Sequence, residues 1–195
     1  MNKREFLMAA TATAAVGLLP MASAHAATAR GPVLLTVSGA ITHANCGALD
    51  PALDQMMAKH GIQFDKALAL DAQALYQLPK VQIKPTLEYD AKPHTLSGPL
   101  LTTVLAAAGV PATGAFTVGM RAVDGYNVNV SLAELVRMRM LVATHLDGRP
   151  LALGGLGPLW AVFDADTVTP FKDLPLKERF AQCPWGLYHL DVQRA

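Results

Sequence analysis

Charge is sparse in this sequence, at 16% of 195 residues, and cysteine is rarer still, with Cys46 and Cys183 alone. Sixteen Lys and Arg stand against fifteen Asp and Glu, a formal net charge of +1. A chain this close to neutral, with no basic run, has no electrostatic footprint for nucleic acid or for an anionic membrane surface. After the first twenty residues no apolar run is long enough to span a bilayer. There is no Gly-x-Ser-x-Gly elbow for a serine hydrolase, and no Lys-Ser/Thr follows the glycine run at 154–157 as a phosphate loop requires. The six histidines, His25, His43, His60, His94, His145 and His189, show no His-x-His, no His-Glu-x-x-His and no zinc spacing to a cysteine. They read as surface or satisfied structural groups. Asp164 and Asp166 alternate with Ala165 beside Phe163, which fits a solvated strand end better than a glycosidase pair.

What is present begins with a leader. Lys3 and Arg4 form a basic start, Phe6 to Leu19 an apolar stretch, and Ala22-Ser23-Ala24 and Ala24-His25-Ala26 both satisfy small-x-small cleavage. Residues 1–26 are therefore expected to be a secretory signal peptide, and residues 27–195 one periplasmic domain of no net charge. Lys3-Arg4-Glu5-Phe6-Leu7 is also similar to a twin-arginine signal with Lys in first place, so the general and the twin-arginine export routes both remain open. In an oxidising compartment an even pair of cysteines points to a Cys46–Cys183 disulfide, with two unpaired thiols as the alternative.

Local patterns predict a mixed α+β chain. Strands are expected at Val33–Val37, Val81–Leu87, Phe116–Ala122, Gly125–Val130, Leu141–Thr144, Pro150–Leu153, Leu159–Phe163 and Gly186–Val192. Asp50-Pro51 and Asp71 look like helix starts, with Gly61 and Pro79 as stops. Gly98-Pro99 opens the clearest helix, which Gly109 and Pro111 close, and Ser131-x-x-Glu134 is a capping box. Asp147-Gly148 is a hairpin turn. Short helices scattered among strands argue for α+β rather than an alternating βαβ fold.

Gly154-Gly155-Leu156-Gly157-Pro158-Leu159-Trp160 is the stretch around which the chain is organised. Three glycines in four residues offer a backbone that something can approach closely. The run is either a tight bend between core strands or the floor of a pocket with Trp160 as a wall.

Taken in order, Leu35-Thr36-Val37-Ser38-Gly39, Leu70-Asp71…Leu75…Leu78-Pro79, Gly98-Pro99-Leu100-Leu101 with Ala106-Ala107-Ala108-Gly109, Asp124-Gly125-Tyr126, Asp147-Gly148-Arg149-Pro150-Leu151, Gly157-Pro158-Leu159-Trp160 and Trp185 make a set that resembles the small exported members of the sulfite-oxidase-fold, molybdopterin-binding family. The resemblance implies a curved, barrel-like mixed sheet with short peripheral helices and a cleft that holds a pterin. The family's enzymes ligate molybdenum through a cysteine just after the strand that is Val81–Leu87 here, where this chain has Thr86, Leu87, Glu88 and Tyr89. Neither threonine nor glutamate replaces a soft thiolate. The basic residue that relatives carry before Gly-Pro-Leu-Trp is replaced by Gly154, Gly155 and Leu156.

These departures make the chain similar to relatives that bind reduced pterins without a metal and signal to a membrane-bound enzyme of cyclic-di-GMP metabolism. The alternatives are a molybdopterin-dependent oxidoreductase using Cys183, and a scaffold that binds only a protein partner. For a pterin, Trp160 and Trp185 are the expected stacking walls. Asp124, then Glu88, is the expected carboxylate for the pyrimidine edge. The Gly155 and Gly157 amides, Tyr126 and Arg121 complete the candidate set.

Overall fold

The computed structural model describes residues 31–195; the expected leader lies outside the described residues. The β-branched and apolar start of the domain forms strand β1 (Val33–Gly39). A long excursion carrying only a short helix, α1 (Gln55–Lys59), leads to β2 (Ala67–Asp71). Asp71 accepts a hydrogen bond from the Ala74 N–H at 2.8 Å and so caps α2 (Ala72–Gln77). Strands β3 (Lys80–Ile83) and β4 (Leu96–Pro99) follow, then α3 (Leu101–Ala107), β5 (Phe116–Ala122), β6 (Asn127–Ser131) and α4 (Leu132–Met138). Four short strands come next: β7 (Leu141–Ala143), β8 (His145–Leu146), β9 (Arg149–Pro150) and β10 (Trp160–Val162). Two 3-10 turns precede the final strand, β11 (Leu187–Arg194).

The last strand occupies the middle of the principal sheet, whose order is β2-β1-β11-β5-β6. It runs parallel to β1 and antiparallel to β5. Alternation along these strands gives the sheet two unlike faces. Leu35, Val37, Leu68, Leu70, Val118, Met120, Leu190 and Val192 are buried on one of them. Against it pack α3, α4 and the layer of β4, β7 and β10, where Leu141, Val142, Ala143, Trp160, Ala161 and Val162 are all fully buried. Thr117, Gly119, Arg121, Asn127, Asn129, His189 and Asp191 fall on the opposite face by register.

Several expectations need correction. The sheets do not close into a barrel: the principal sheet ends at β2 and β6 without joining them, and β10-β7 and β3-β4-β8-β9 form separate small sheets. Gly98-Pro99 ends β4 rather than opening α3, because β4 crosses β7 so closely that a Cβ at Gly98 would overlap the Val142 carbonyl oxygen. The strand expected over Val81–Leu87 stops at Ile83, and the chain turns back at Leu87, whose N–H donates to Lys92 O at 2.9 Å. Asp50 accepts from the Ala52 N–H at 2.8 Å within a turn, and α1 starts after Asp54 instead. The expected disulfide is not formed: Cys46 is exposed with its thiol donating to Ala67 O at 3.2 Å, and Cys183 is buried in the core.

Candidate functional site

Three loops meet at the end of β5. The first is the turn after Ala122, where Gly125 takes φ +90° and donates its N–H to Ala122 O at 3.0 Å. Asp124 closes it by accepting the Tyr126 N–H at 2.9 Å, an Asx turn that leaves the Tyr126 side chain standing out from the sheet. The second is the turn at 86–92, anchored by buried Leu87 and by the Thr86 N–H donating to Asp166 Oδ2 at 2.7 Å. Asp166 Oδ1 in turn accepts from the Arg179 guanidinium at 2.8 Å, so this half-buried ion pair ties the turn to the C-terminal segment. The third is Phe180–Gly186 itself. Gly186 sits at φ +65° and accepts the Val123 N–H at 3.0 Å. The Tyr126 hydroxyl donates to Ala181 O at 2.7 Å.

The loops enclose a cleft of about 280 Å³ lined by Glu88, Tyr89, Asp124, Tyr126, Phe180 and Trp185, with Cys183 and Pro184 at its base. That volume is at the small end of ligand pockets. Three aromatic rings face it while partly open to solvent: Trp185 is 39% exposed, Tyr126 49% and Tyr89 57%. Partial burial and the neighbouring Glu88 carboxylate push the Tyr89 phenol up. The cleft therefore offers flat apolar walls and two carboxylates, which suits a planar ligand with N–H donors along one edge.

Glu88, Asp124, Tyr126 and Trp185 from the expected set are thus brought together. The others are not. Trp160 is 1% exposed and donates its ring N–H to Cys183 O at 2.9 Å, so it supports the cleft from behind through its bridge to Trp185 instead of walling it. Arg121 opens onto the polar face of the sheet, in a separate groove with His189 and Asp191. Gly155 is exposed and Gly157 is buried in a bend closed by both their N–H groups donating to Ala152 O at 3.1 Å. The glycine run is the tight bend, and neither amide lines this cleft.

Tyr89 and Phe180 were missed. Tyr89 carried a readable signal, an aromatic in the polar run Glu88-Tyr89-Asp90. Phe180 carried none.

Burial pushes the Cys183 thiol up, and the charge on Glu88 adds to the effect. A thiolate is disfavoured there, and Cys46 lies in a different cavity, with Met56 and Met57. The donor set does not fit a molybdenum centre of thiolate type. Among the described residues no three His, Cys, Asp or Glu side chains are grouped to hold a metal ion. The described histidines are held structurally: His43 by Ala107 O at 3.1 Å, His60 by the Tyr188 hydroxyl at 2.6 Å, His94 between Asp147 at 2.7 Å and Asp90 at 2.9 Å, His145 by the Thr144 hydroxyl at 2.8 Å, and His189 by the Ser38 hydroxyl at 2.9 Å. Asp164 and Asp166 are half-buried loop ties, not a solvated strand end.

No family model matches this chain, and no curated protein matches it. Among solved structures it is similar to the sulfane dehydrogenase SoxCD from Paracoccus pantotrophus, with a TM-score of 0.52 and 13% sequence identity. The likeness covers 83% of this chain and 38% of that one. At this identity it is a likeness of fold, and the chain spans well under half of that protein's chain.

Proposed function

We propose that this protein binds a reduced pterin, without a metal, in the cleft between the Glu88-Tyr89 turn, the Asp124–Tyr126 turn and Trp185, and that it acts as a periplasmic receptor for the periplasmic domain of an inner-membrane enzyme of cyclic-di-GMP metabolism. The observation that carries the reading is the convergence of an exposed Trp185 face and two tyrosines on the carboxylates of Glu88 and Asp124. A pterin is a flat ring that stacks on an indole face. Its pyrimidine edge presents adjacent N–H donors that a carboxylate accepts as a charge-assisted pair. The fold likeness to a dehydrogenase supports the sulfite-oxidase-fold resemblance carried by the ordered motifs.

That likeness also favours a second reading, a molybdopterin-dependent oxidoreductase. Its only sulfur at the cleft would be Cys183, whose buried thiol speaks against it.

The test is to purify the exported protein from its own compartment, identify co-purifying small molecules by mass spectrometry and measure molybdenum on the same sample. A pterin with no molybdenum is the expected result; stoichiometric molybdenum overturns it. With purified protein, a tetrahydropterin at a hundred times its dissociation constant should stabilise the fold by about 2.7 kcal/mol. A melting temperature indifferent to every reduced pterin would leave the ligand reading without support. Pterin-dependent capture of the membrane enzyme's periplasmic domain tests the receptor role.

A further inference from the structure

The polar face of the principal sheet carries a second groove, of about 290 Å³, floored by β11, β5 and β6 and walled by Gly61-Ile62-Gln63. Its floor is a grid fixed by strand register. His189, Arg121 and Asn127 form one rung, and Asp191, Gly119 and Asn129 the next. Gly119 is the centre of that grid and makes a pit in it. It lies in the middle of regular pairing and outside the left-handed region, so nothing in its own backbone calls for glycine. Glycine inside a strand is unfavourable and commonly marks a place where another group comes close to the backbone. Here two polar atoms border the space above it: from the position a Cβ would take, the Asn129 amide oxygen is 3.0 Å away and the Asn127 amide oxygen 3.6 Å, while Asp191 presents its Cβ at 3.6 Å and turns its carboxylate toward Gly39 and Gln193.

The groups around the pit are not spent on one another. Among the described residues Arg121 forms no ion pair, and neither Asn127 nor Asn129 has a side-chain hydrogen bond. Asp191 is steadied by the Gln193 amide, which donates to its Oδ2 at 2.7 Å. On the floor the Arg121 guanidinium on β5 neighbours two amide oxygens from β6, with the Asp191 carboxylate one rung away on β11. We infer that this groove is a ligand site for a small zwitterion of the α-amino-acid class, its ammonium over Gly119 on the Asn127 and Asn129 amide oxygens with the Asp191 negative charge on the neighbouring strand, and its carboxylate on Arg121. A neutral sugar would use the amides but would leave the guanidinium without an anion, and a simple anion would meet Asp191. The site is separate from the cleft at Trp185 and does not depend on what that cleft binds.

The experiment uses the purified exported protein in calorimetric and thermal-shift titrations against free α-amino acids, their N-acetyl and carboxamide derivatives, and neutral monosaccharides. At least one free amino acid should bind, with both blocked forms at least tenfold weaker. Arg121→Gln should weaken binding at least tenfold. Gly119→Ala fills the pit and should abolish binding while melting no lower than the parent, since alanine suits a strand better than glycine. Should that variant fail to fold, Asn129→Ala at the solvent-open edge of the floor replaces it with the same expected loss. No binding by any free amino acid, binding by monosaccharides instead, or affinity retained when the pit is filled would overturn the proposal.

Discussion

The hydroxyl of Tyr126 donates to the carbonyl oxygen of Ala181 at 2.7 Å, joining the turn after β5 to the segment that carries Trp185. This bond spans the cleft wall, so it positions two of the three loops against each other. Tyr126→Phe keeps the ring and removes the tie. The bond is exposed, so the loss of global stability should be about 0.5–1 kcal/mol. The loss of pterin affinity should be larger in proportion, because the Phe180–Gly186 segment loses its tie to the Asp124–Tyr126 turn and the Tyr126 ring is no longer fixed across the cleft. Denaturant midpoints and pterin titration of the same variant separate the two effects. Equal affinity in parent and variant would show that the tie plays no part in the site.

The two tryptophans should behave as opposites. Trp160 is 1% exposed inside the core, and Trp160→Ala should cost about 3–5 kcal/mol, a large part of a typical domain's stability. Trp185 is 39% exposed, and Trp185→Ala should leave a well-folded protein with pterin affinity at least tenfold lower, roughly 1.4 kcal/mol of lost stacking. Since these are the chain's only tryptophans and Trp160 backs the cleft, quenching of indole emission at saturating pterin should fall in Trp185→Ala to the part that comes from Trp160. Quenching and affinity undiminished in that variant would place the ligand elsewhere.

How much of this was legible in the sequence depends on the range of the physics involved. Local signals were readable. Ser131 accepts from the Glu134 N–H at 3.2 Å, and Asp71 caps α2. Asp147 and Gly148 both take positive φ in the β8–β9 turn, and β5 runs Phe116–Ala122 as expected. The family resemblance drew Glu88, Asp124, Tyr126 and Trp185 to one site although they are far apart in sequence. The misplaced residues failed on contacts that no local pattern encodes. Gly98 is glycine because β7 passes over it. Arg121, expected at the pterin site, is not there, and the alternation to show it is in the sequence: Val118 and Met120 point to the core, so Thr117, Gly119 and Arg121 point away. Trp160 lies in an unbroken apolar run, Leu159 to Phe163, which is the mark of a strand buried on both faces and not of a cleft wall.

The glycine run makes a sharp prediction because its members differ. A Cβ at Gly157 would stand 2.6 Å from the Leu151 carbonyl carbon and 2.7 Å from Ala152 O, backbone atoms that cannot swing aside. Gly157→Ala should cost about 1–3 kcal/mol through forced displacement of the bend. At Gly155 the nearest atom is Ala152 O at 3.5 Å, and the residue is exposed. Gly155→Ala should fall within about 0.5 kcal/mol of the parent. Thermal melts of the two variants read the difference, and equal losses would mean that the bend tolerates no side chain anywhere.

Acid should weaken the fold through His189, which is 2% exposed and bonded at Nε2 to the Ser38 hydroxyl at 2.9 Å. Burial lowers its proton affinity to a pKa of about 4, with Asp191 opposing the shift and Arg121 adding to it. An unfolded histidine takes a proton near pH 6.5. Between those values the unfolded chain binds a proton that the folded chain refuses. Stability from this residue is therefore whole above about pH 6.5 and falls by about 3 kcal/mol as pH drops toward 4. His94 works in the other direction: its bonds to Asp147 and Asp90 raise its pKa, so its contribution is present in acid and is lost as pH rises through the raised value. Urea midpoints at pH 7, 5.5 and 4.5 should fall steadily in the parent protein. In His189→Gln, which cannot take up the proton, most of that slope should disappear. A parent equally stable at pH 7 and 4.5 would mean that His189 takes up its proton as readily in the folded protein as in the unfolded chain.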